Sequence, residues 1–167
     1  ALLLVNKPAG LLAVPGRGED KQDCLAARVQ REFPDALIVH RLDMATSGLM
    51  LFALSSEMQR RLSQLFRERA VAKRYIAVVA GRLASAAGEV SLPIGADWAQ
   101  RPLRRIDTEH GKPSLTRYRV LVQGADECRV EMEPVTGRTH QLRVHMAALG
   151  HPILGDALYG DEASAPR

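Results

Sequence analysis

The densest cluster of chemically capable side chains is the segment His40-Arg-Leu-Asp43-Met-Ala-Thr-Ser47-Gly48. A plain turn accounts for part of it: Asp43 accepts backbone bonds, Thr46 and Ser47 cap, and Gly48 permits an unusual backbone angle. A turn rarely needs His40 and Arg41 as well. A second unusual stretch is Gly137-Arg-Thr-His-Gln-Leu-Arg143-Val-His145. Helical spacing sets His140 and Arg143 on one face, beside Leu142. The bland reading there is a surface helix with a snorkelling Arg143. The functional reading has Arg143 running along the core edge to reach a carboxylate. Together the two segments suggest a buried Asp43–Arg143 pair. An adjacent guanidinium favours the ionised carboxylate, which keeps Asp43 ready as nucleophile or base at neutral pH. Removing either partner alone would leave an unpaired buried charge, at a cost of roughly 3–5 kcal/mol.

Other chemistries fit poorly. His140 and His145 do not share a helix face, there is no His-Glu-x-x-His, and neither Cys24 nor Cys128 has a nearby His or Cys. Pro15-Gly-Arg-Gly18 has too few glycines for a phosphate loop and no Lys-Ser or Lys-Thr after it. Thr46-Ser47-Gly48 lacks the glycine that a serine nucleophile elbow places two residues earlier. What remains is carboxylate chemistry without a cofactor or metal.

Several elements must position these residues. Ala1 to Val5 reads as strand, and Asp23 is placed to cap a helix running to about Phe33, with Leu25, Ala26, Val29 and Phe33 inward. Gly48 to Leu54 has the continuous apolar run of a buried strand. Ser56 and Gln59 stand at capping-box spacing before an amphipathic helix that turns Met58, Leu62, Leu65 and Phe66 inward. Tyr75 to Ala80 reads as another buried strand, stopped by Gly81. Leu115 to Val122 and Arg129 to Glu133 alternate like antiparallel strands, with Val130 and Met132 facing the core. Beyond Gly137, a helix capped by Thr139 is expected to bury Leu142, Met146 and Leu149 and to end at Gly150. Strands with few helices give an α+β fold.

Composition narrows the class. Among 167 residues, 46% are hydrophobic and 25% charged, which excludes disorder as the default. Aromatics at 4% argue against a platform of several exposed rings. The longest apolar run, Leu49 to Leu54, is far short of a membrane span, and Ala1 to Val5 is too short for a signal peptide. Two distant cysteines read as thiols of a reducing compartment, so a cytoplasmic protein is expected. Lys and Arg number 23 against 19 acids, a net charge of +4, with a pI near 9.4. The charge is clustered. Arg60, Arg61, Arg67, Arg69, Lys73 and Arg74 face one acid, Glu68; Arg101, Arg104, Arg105 and Lys112 form a second group with Asp107 and Glu109. Two such clusters beside strand-like segments favour contact with a phosphate backbone.

With these residues laid out, His40-Arg-Leu-Asp-x-x-Thr-Ser-Gly48 resembles the signature of the RluA family of pseudouridine synthases. Val5-Asn-Lys-Pro-x-Gly10, Lys73-Arg-Tyr-Ile-Ala77, and Gly137 to His145 running on into Leu149-Gly-His-Pro-Ile-Leu-Gly-Asp156 fit in register. Leu92 to Trp98 with Arg101-Pro102 resembles the branch acting on both 23S ribosomal RNA and the tRNA anticodon stem-loop. The resemblance implies a mixed, mainly antiparallel sheet with flanking helices and a central catalytic cleft. It implies an isomerase that turns uridine into pseudouridine without cofactor or metal, with RNA as partner and a monomeric state. On that likeness Asp43 falls on the catalytic aspartate and Tyr75 on the tyrosine that stacks on the uracil, with either its hydroxyl or water as acceptor of the C5 proton. Arg143 falls on the arginine paired with the aspartate, and Arg41 on the residue that fills the gap left by the flipped uridine. His40, Arg138 and His140 support the site, while Arg67, Arg69, Lys73 and Arg74 meet RNA phosphates. Against the family pattern the chain reads as one catalytic domain, incomplete at both ends and without an S4 domain. A non-catalytic RNA-binding module and a small-molecule hydrolase using Asp43 with His40 stay open as alternatives.

Overall fold

The structure is a computed structural model that describes residues 1–164. Residues 165–167 lie outside the described residues. The chain divides into two compact units, Ala1–Val71 and Ala72–Arg167.

In the first unit, β1 (Leu2–Lys7), β2 (Leu37–Ile38) and β3 (Gly48–Ala53) form an antiparallel sheet in the order β1-β3-β2, with Val5 opposite Met50 and Leu37 opposite Ala53. The central strand contributes fully buried Met50, Phe52 and Ala53, as its apolar run predicts. Two helices flank it, α1 (Leu25–Glu32) and α2 (Ser56–Arg67), and α2 packs on β2 and β3.

Both helix starts differ from expectation by one residue. Cys24, not Asp23, caps α1: its buried Sγ accepts the Ala27 amide at 3.4 Å, while Asp23 forks onto Arg28 at 2.7 and 2.8 Å. Cys24 bridges to Leu12, so the chain turns into the helix only after that anchor. Phe33, expected inward, is the exposed C-cap residue. On α2 the cap is Ser55, whose hydroxyl accepts the Met58 amide; Ser56 is already helical and Gln59 donates instead to the Ile38 carbonyl. Leu62 is buried and Met58 and Phe66 half-buried, but Leu65 is exposed.

The second unit holds β4 (Tyr75–Ala80), β5 (Ala87–Ser91), β6 (Ile94–Ala96), β7 (Arg104–Ile106), β8 (Leu115–Gln123), β9 (Glu127–Pro134) and α3 (Gln141–Ala148). Four strands pair antiparallel in the order β4-β9-β8-β5, and β6 and β7 form a separate hairpin. Val130 and Met132 of β9 are buried as predicted, in a core with Val79, Leu83, Cys128 and Met146. Only the second half of β4 is buried, because Ile76 faces solvent. The α+β architecture with flanking helices holds, and its named strands pair antiparallel across three sheets.

The third helix buries Met146 as expected but adds polar residues to its inward face. His140 is its N-cap residue, with φ 57°, and Thr139 makes no cap. The buried positions are Gln141, Val144, His145 and Met146; Leu142 is half-buried against the core and Leu149 is exposed. Gly150, at φ +80°, closes the helix where a side chain would be strained.

Candidate functional site

The first unit presents the His40–Gly48 segment as a loop entering β3. Lys7 ends β1, and the alternation Leu3, Val5, Lys7 carries its side chain inward until it is 0% exposed. Its Nζ donates to the carbonyls of Pro8 (2.9 Å), Leu11 (2.6 Å) and Met44 (3.0 Å), which uses all three ammonium protons. The Gly10 amide donates to the same Met44 carbonyl at 2.9 Å. The residue next to Asp43 is thus clamped twice by the Asn-Lys-Pro-x-Gly segment. Burial pushes the Lys7 ammonium below its ordinary range, and the charge of Asp43 pulls it partly back. Asp43 itself is half-buried, and its carbonyl accepts the Thr46 amide in a turn.

His40 packs its ring on Phe66 at 4.6 Å, and its Nε2 accepts the Leu51 amide at 3.0 Å. A ring nitrogen that accepts from a backbone N–H leaves the proton of neutral imidazole on Nδ1. His40 therefore joins the loop to β3 and α2. Arg41 is exposed beside buried Leu42. Arg67 ends α2 and lines an open depression with Gln59, Arg60, Ser63 and Gln64. Arg69 follows in the left-handed region, φ 59°, where the Ala70 amide reaches the Leu65 carbonyl.

In the second unit Tyr75 opens β4 opposite Met132 and packs half-buried against the core. Arg74 is exposed, 4.0 Å from Glu131, and half-buried Lys73 extends toward Gly137, where a β-carbon would stand 3.5 Å from its Nζ. The segment leading into α3 is held by a buried polar network. Gln141 Oε1 accepts from the Thr136 hydroxyl and the Arg138 amide, and its Nε2 donates to the Leu115 carbonyl and Thr116 Oγ1, all within 3.1 Å. His145 Nε2 meets the Leu92 carbonyl and its Nδ1 meets Thr116 Oγ1, both at 2.9 Å. A carbonyl can only accept, so the proton sits on Nε2 and the Thr116 hydroxyl donates to Nδ1. Burial keeps this imidazole below its ordinary pKa, against the raising effect of the Leu92 bond. Arg138 reaches the Pro113 carbonyl at 3.4 Å through Nε and Nη2.

His140 and Arg143 meet on a residue that the sequence reading did not single out. Tyr159 places its hydroxyl 2.6 Å from His140 Nδ1, and its ring lies 5.1 Å from the Arg143 guanidinium carbon. The carboxylate expected for Arg143 was Asp43; the one observed is Asp156, onto which Nε and Nη2 fork, each at 2.7 Å, with the side chains 13% and 3% exposed. Burial pushes the Asp156 carboxyl up. The Arg143 bonds and the amides of Leu158 and Tyr159 outweigh it and hold the group below the usual carboxylate range. Asp156 was visible only as the last residue of a motif, and no spacing rule pointed to Tyr159. Lys7 had a legible signal, the two-residue alternation that aims it inward. His140 and Arg69 are the non-glycine residues at positive φ among the described residues, and such strain concentrates at functional positions. Among the described residues no group of three or more His, Cys, Asp or Glu is placed to hold a metal, and no helix is long and apolar enough to cross a membrane.

Comparison with known proteins gives a consistent picture. A family model described as RNA pseudouridylate synthase matches residues 1–148. The dual-specificity RNA pseudouridine synthase RluA of Escherichia coli (strain K12) is 51% identical over 170 residues, covering 99% of this chain and 78% of that protein. Its Yersinia pestis counterpart is 50% identical over 159 residues, 95% of this chain and 77% of the relative. Among solved structures, human RNA pseudouridylate synthase domain containing 1 superposes with a TM-score of 0.81 at 34% identity, covering 98% of this chain and 67% of that one. Human RNA pseudouridylate synthase domain containing 4 gives 0.77 at 30% identity, over 99% and 69%.

Proposed function

The chain belongs to the RNA pseudouridylate synthase family, as an isomerase acting on uridines in RNA, and from that membership we propose how its own residues divide the reaction. Asp43 engages the target nucleoside as the N1–C1′ bond breaks. The uracil turns and bonds C1′ through C5, C5 gives up its proton, and N1 takes one, so the sum is an isomerisation. Tyr75 stacks on the uracil, and its hydroxyl takes the C5 proton. Arg143 supplies the positive charge that the family motif sets against the aspartate, and its fork on Asp156 supports a fixed guanidinium. Arg41 fills the space of the flipped nucleotide, whose extrusion costs a few kcal/mol that stacking and phosphate contacts must offset. His40, Arg138 and His140 hold the site, and Arg67, Arg69, Lys73 and Arg74 meet phosphates. The relatives' dual specificity extends here to substrates in 23S ribosomal RNA and the tRNA anticodon stem-loop. Residues 1–167 act as one catalytic domain and as a monomer, and two buried, unpaired thiols support a reducing, cytoplasmic setting.

The observation that carries the assignment of Asp43 is the double clamp on Met44, which holds the neighbouring carboxylate on a fixed loop. Tritium release from C5-labelled uridine tests it, because C5 loses its hydrogen only when the base is rejoined through that carbon. Wild type should release tritium from both RNAs. Asp43→Asn should release none yet bind RNA within a few-fold of wild type. Equal release by the variant would remove Asp43 from the chemistry.

A further inference from the structure

The β6–β7 hairpin is joined by residues 97–103, which carry the chain's single tryptophan. Trp98 is 72% exposed, more than any other large apolar side chain among the described residues. An indole this open contributes nothing to a core, and it leaves a π face in water. The Arg101 guanidinium carbon stands over its ring, 4.1 Å from the centroid.

Bases outnumber exposed acids around the hairpin. Asp97 Oδ1 accepts the amides of Ala99 and Gln100, and Asp107 Oδ1 those of Glu109 and His110, so both carboxylates are turned onto their own loops. The exposed charges in this region include Arg101, Arg105 and Lys112 against the one acid Glu109, and Arg105 Nη2 stands 3.8 Å from Asp107 Oδ2. The hairpin is also anchored. Ile94 exchanges backbone bonds with Lys112, and the Arg104 amide donates to the Tyr159 hydroxyl, the group that meets His140.

We propose that Trp98 and Arg101 form a stacking platform for an unpaired nucleobase of the substrate RNA, separate from the target uridine, with Arg105 and Lys112 on the adjoining phosphates. The proposal rests on the RNA pseudouridine synthase reading and adds a specificity determinant to it. Every base offers a π face to an indole, a cation beside the ring strengthens the stack, and the basic rim matches the backbone. Bases inside a duplex are already stacked, so the platform selects loops, bulges and ends.

Because Trp98 is the only tryptophan, its emission reports the platform directly. An anticodon stem-loop transcript is titrated into the full chain while Trp98 emission and acrylamide access are followed, with anisotropy of the labelled RNA in parallel. Emission and acrylamide access should both fall at the midpoint seen by anisotropy. Trp98→Ala should weaken binding at least about fivefold, Trp98→Phe should keep most of the affinity, and Arg101→Gln should fall between. The substituted side chains are exposed, so unchanged melting of each variant checks that the fold is kept. If RNA binds without altering Trp98 emission, and Trp98→Ala binds as tightly as wild type, the platform is overturned. Tritium release from the same RNA would then show the enzyme reading intact. Wild type that neither binds nor isomerises either RNA would overturn the enzyme reading and the platform together.

Discussion

The Asp43 loop and the segment that leads into α3 are held by opposite strategies. In the first unit one buried ammonium gathers three backbone carbonyls, and the Gly10 amide and His40 add a contact each. In the second unit Thr136, Gln141, Thr116 and His145 bond mainly to one another and to carbonyls, and Asp156 and Tyr159 hold Arg143 and His140 from the other side. The first arrangement concentrates its energy in one charge, whereas the second distributes it over many neutral bonds and one ion pair. A loop that must present a carboxylate gains from contacts to its backbone, which fix the chain on either side of it. A helix that must present a histidine and an arginine gains from side-chain partners that set their orientation.

Three experiments test this contrast. The largest effect is expected from Lys7→Met, which matches the stem but strands carbonyls that the ammonium served. A loss of about 3–5 kcal/mol of stability is expected in urea unfolding, together with loss of tritium release. A loss under 1 kcal/mol would show that the loop does not depend on this residue. Asp156→Asn leaves the nearly buried Arg143 guanidinium with a neutral partner and should cost about 2–3 kcal/mol by the same measurement. Its activity loss should exceed that of Asp156→Glu; equal losses would remove orientation of Arg143 as the reason. The smallest and most gradual effect is that of pH. His145 is neutral in the fold, while the unfolded chain takes a proton near the ordinary value of 6.5. Below that value the unfolded state binds more protons, so stability falls as pH drops, with a slope approaching about 1.4 kcal/mol per unit. His145→Gln should flatten the melting temperature between neutral pH and pH 5 relative to wild type. An unchanged slope would assign the acid sensitivity to other groups.

Much of the fold was legible. Apolar runs and alternation located β1, β3, β4, β8 and β9 and the approximate spans of all three helices, because those signals come from the periodicity of a half-buried element. The hairpin of β6 and β7, and β5 with its Ala-Gly-Glu start, carry no such pattern. A β-carbon at Gly88 would stand 2.7 Å from the Tyr118 hydroxyl, so that residue answers to a neighbour on β8 and not to strand propensity. The cap of α1 differs by one position because Cys24 is held by Leu12, a partner from outside the helix. The inward face of α3 is legible in part: hydrophobicity locates Met146 and Leu142, while Gln141 and His145 are buried because β8 and Leu92 supply complementary donors and acceptors, and Leu149 stays exposed.

The sequence by itself determined the α+β class, the four ordered motifs, the clustering of basic residues and the identity of the side chains able to do chemistry. These follow from residue type and short spacing. Only the tertiary structure decided that Lys7 is buried beneath the Asp43 loop, that Arg143 forks onto Asp156, and that Tyr159 joins His140 to the hairpin that carries Trp98. Each of these depends on hydrogen-bond partners that are distant in sequence or on a burial that no local period encodes. A polar side chain is stable inside only where the fold brings it the matching group.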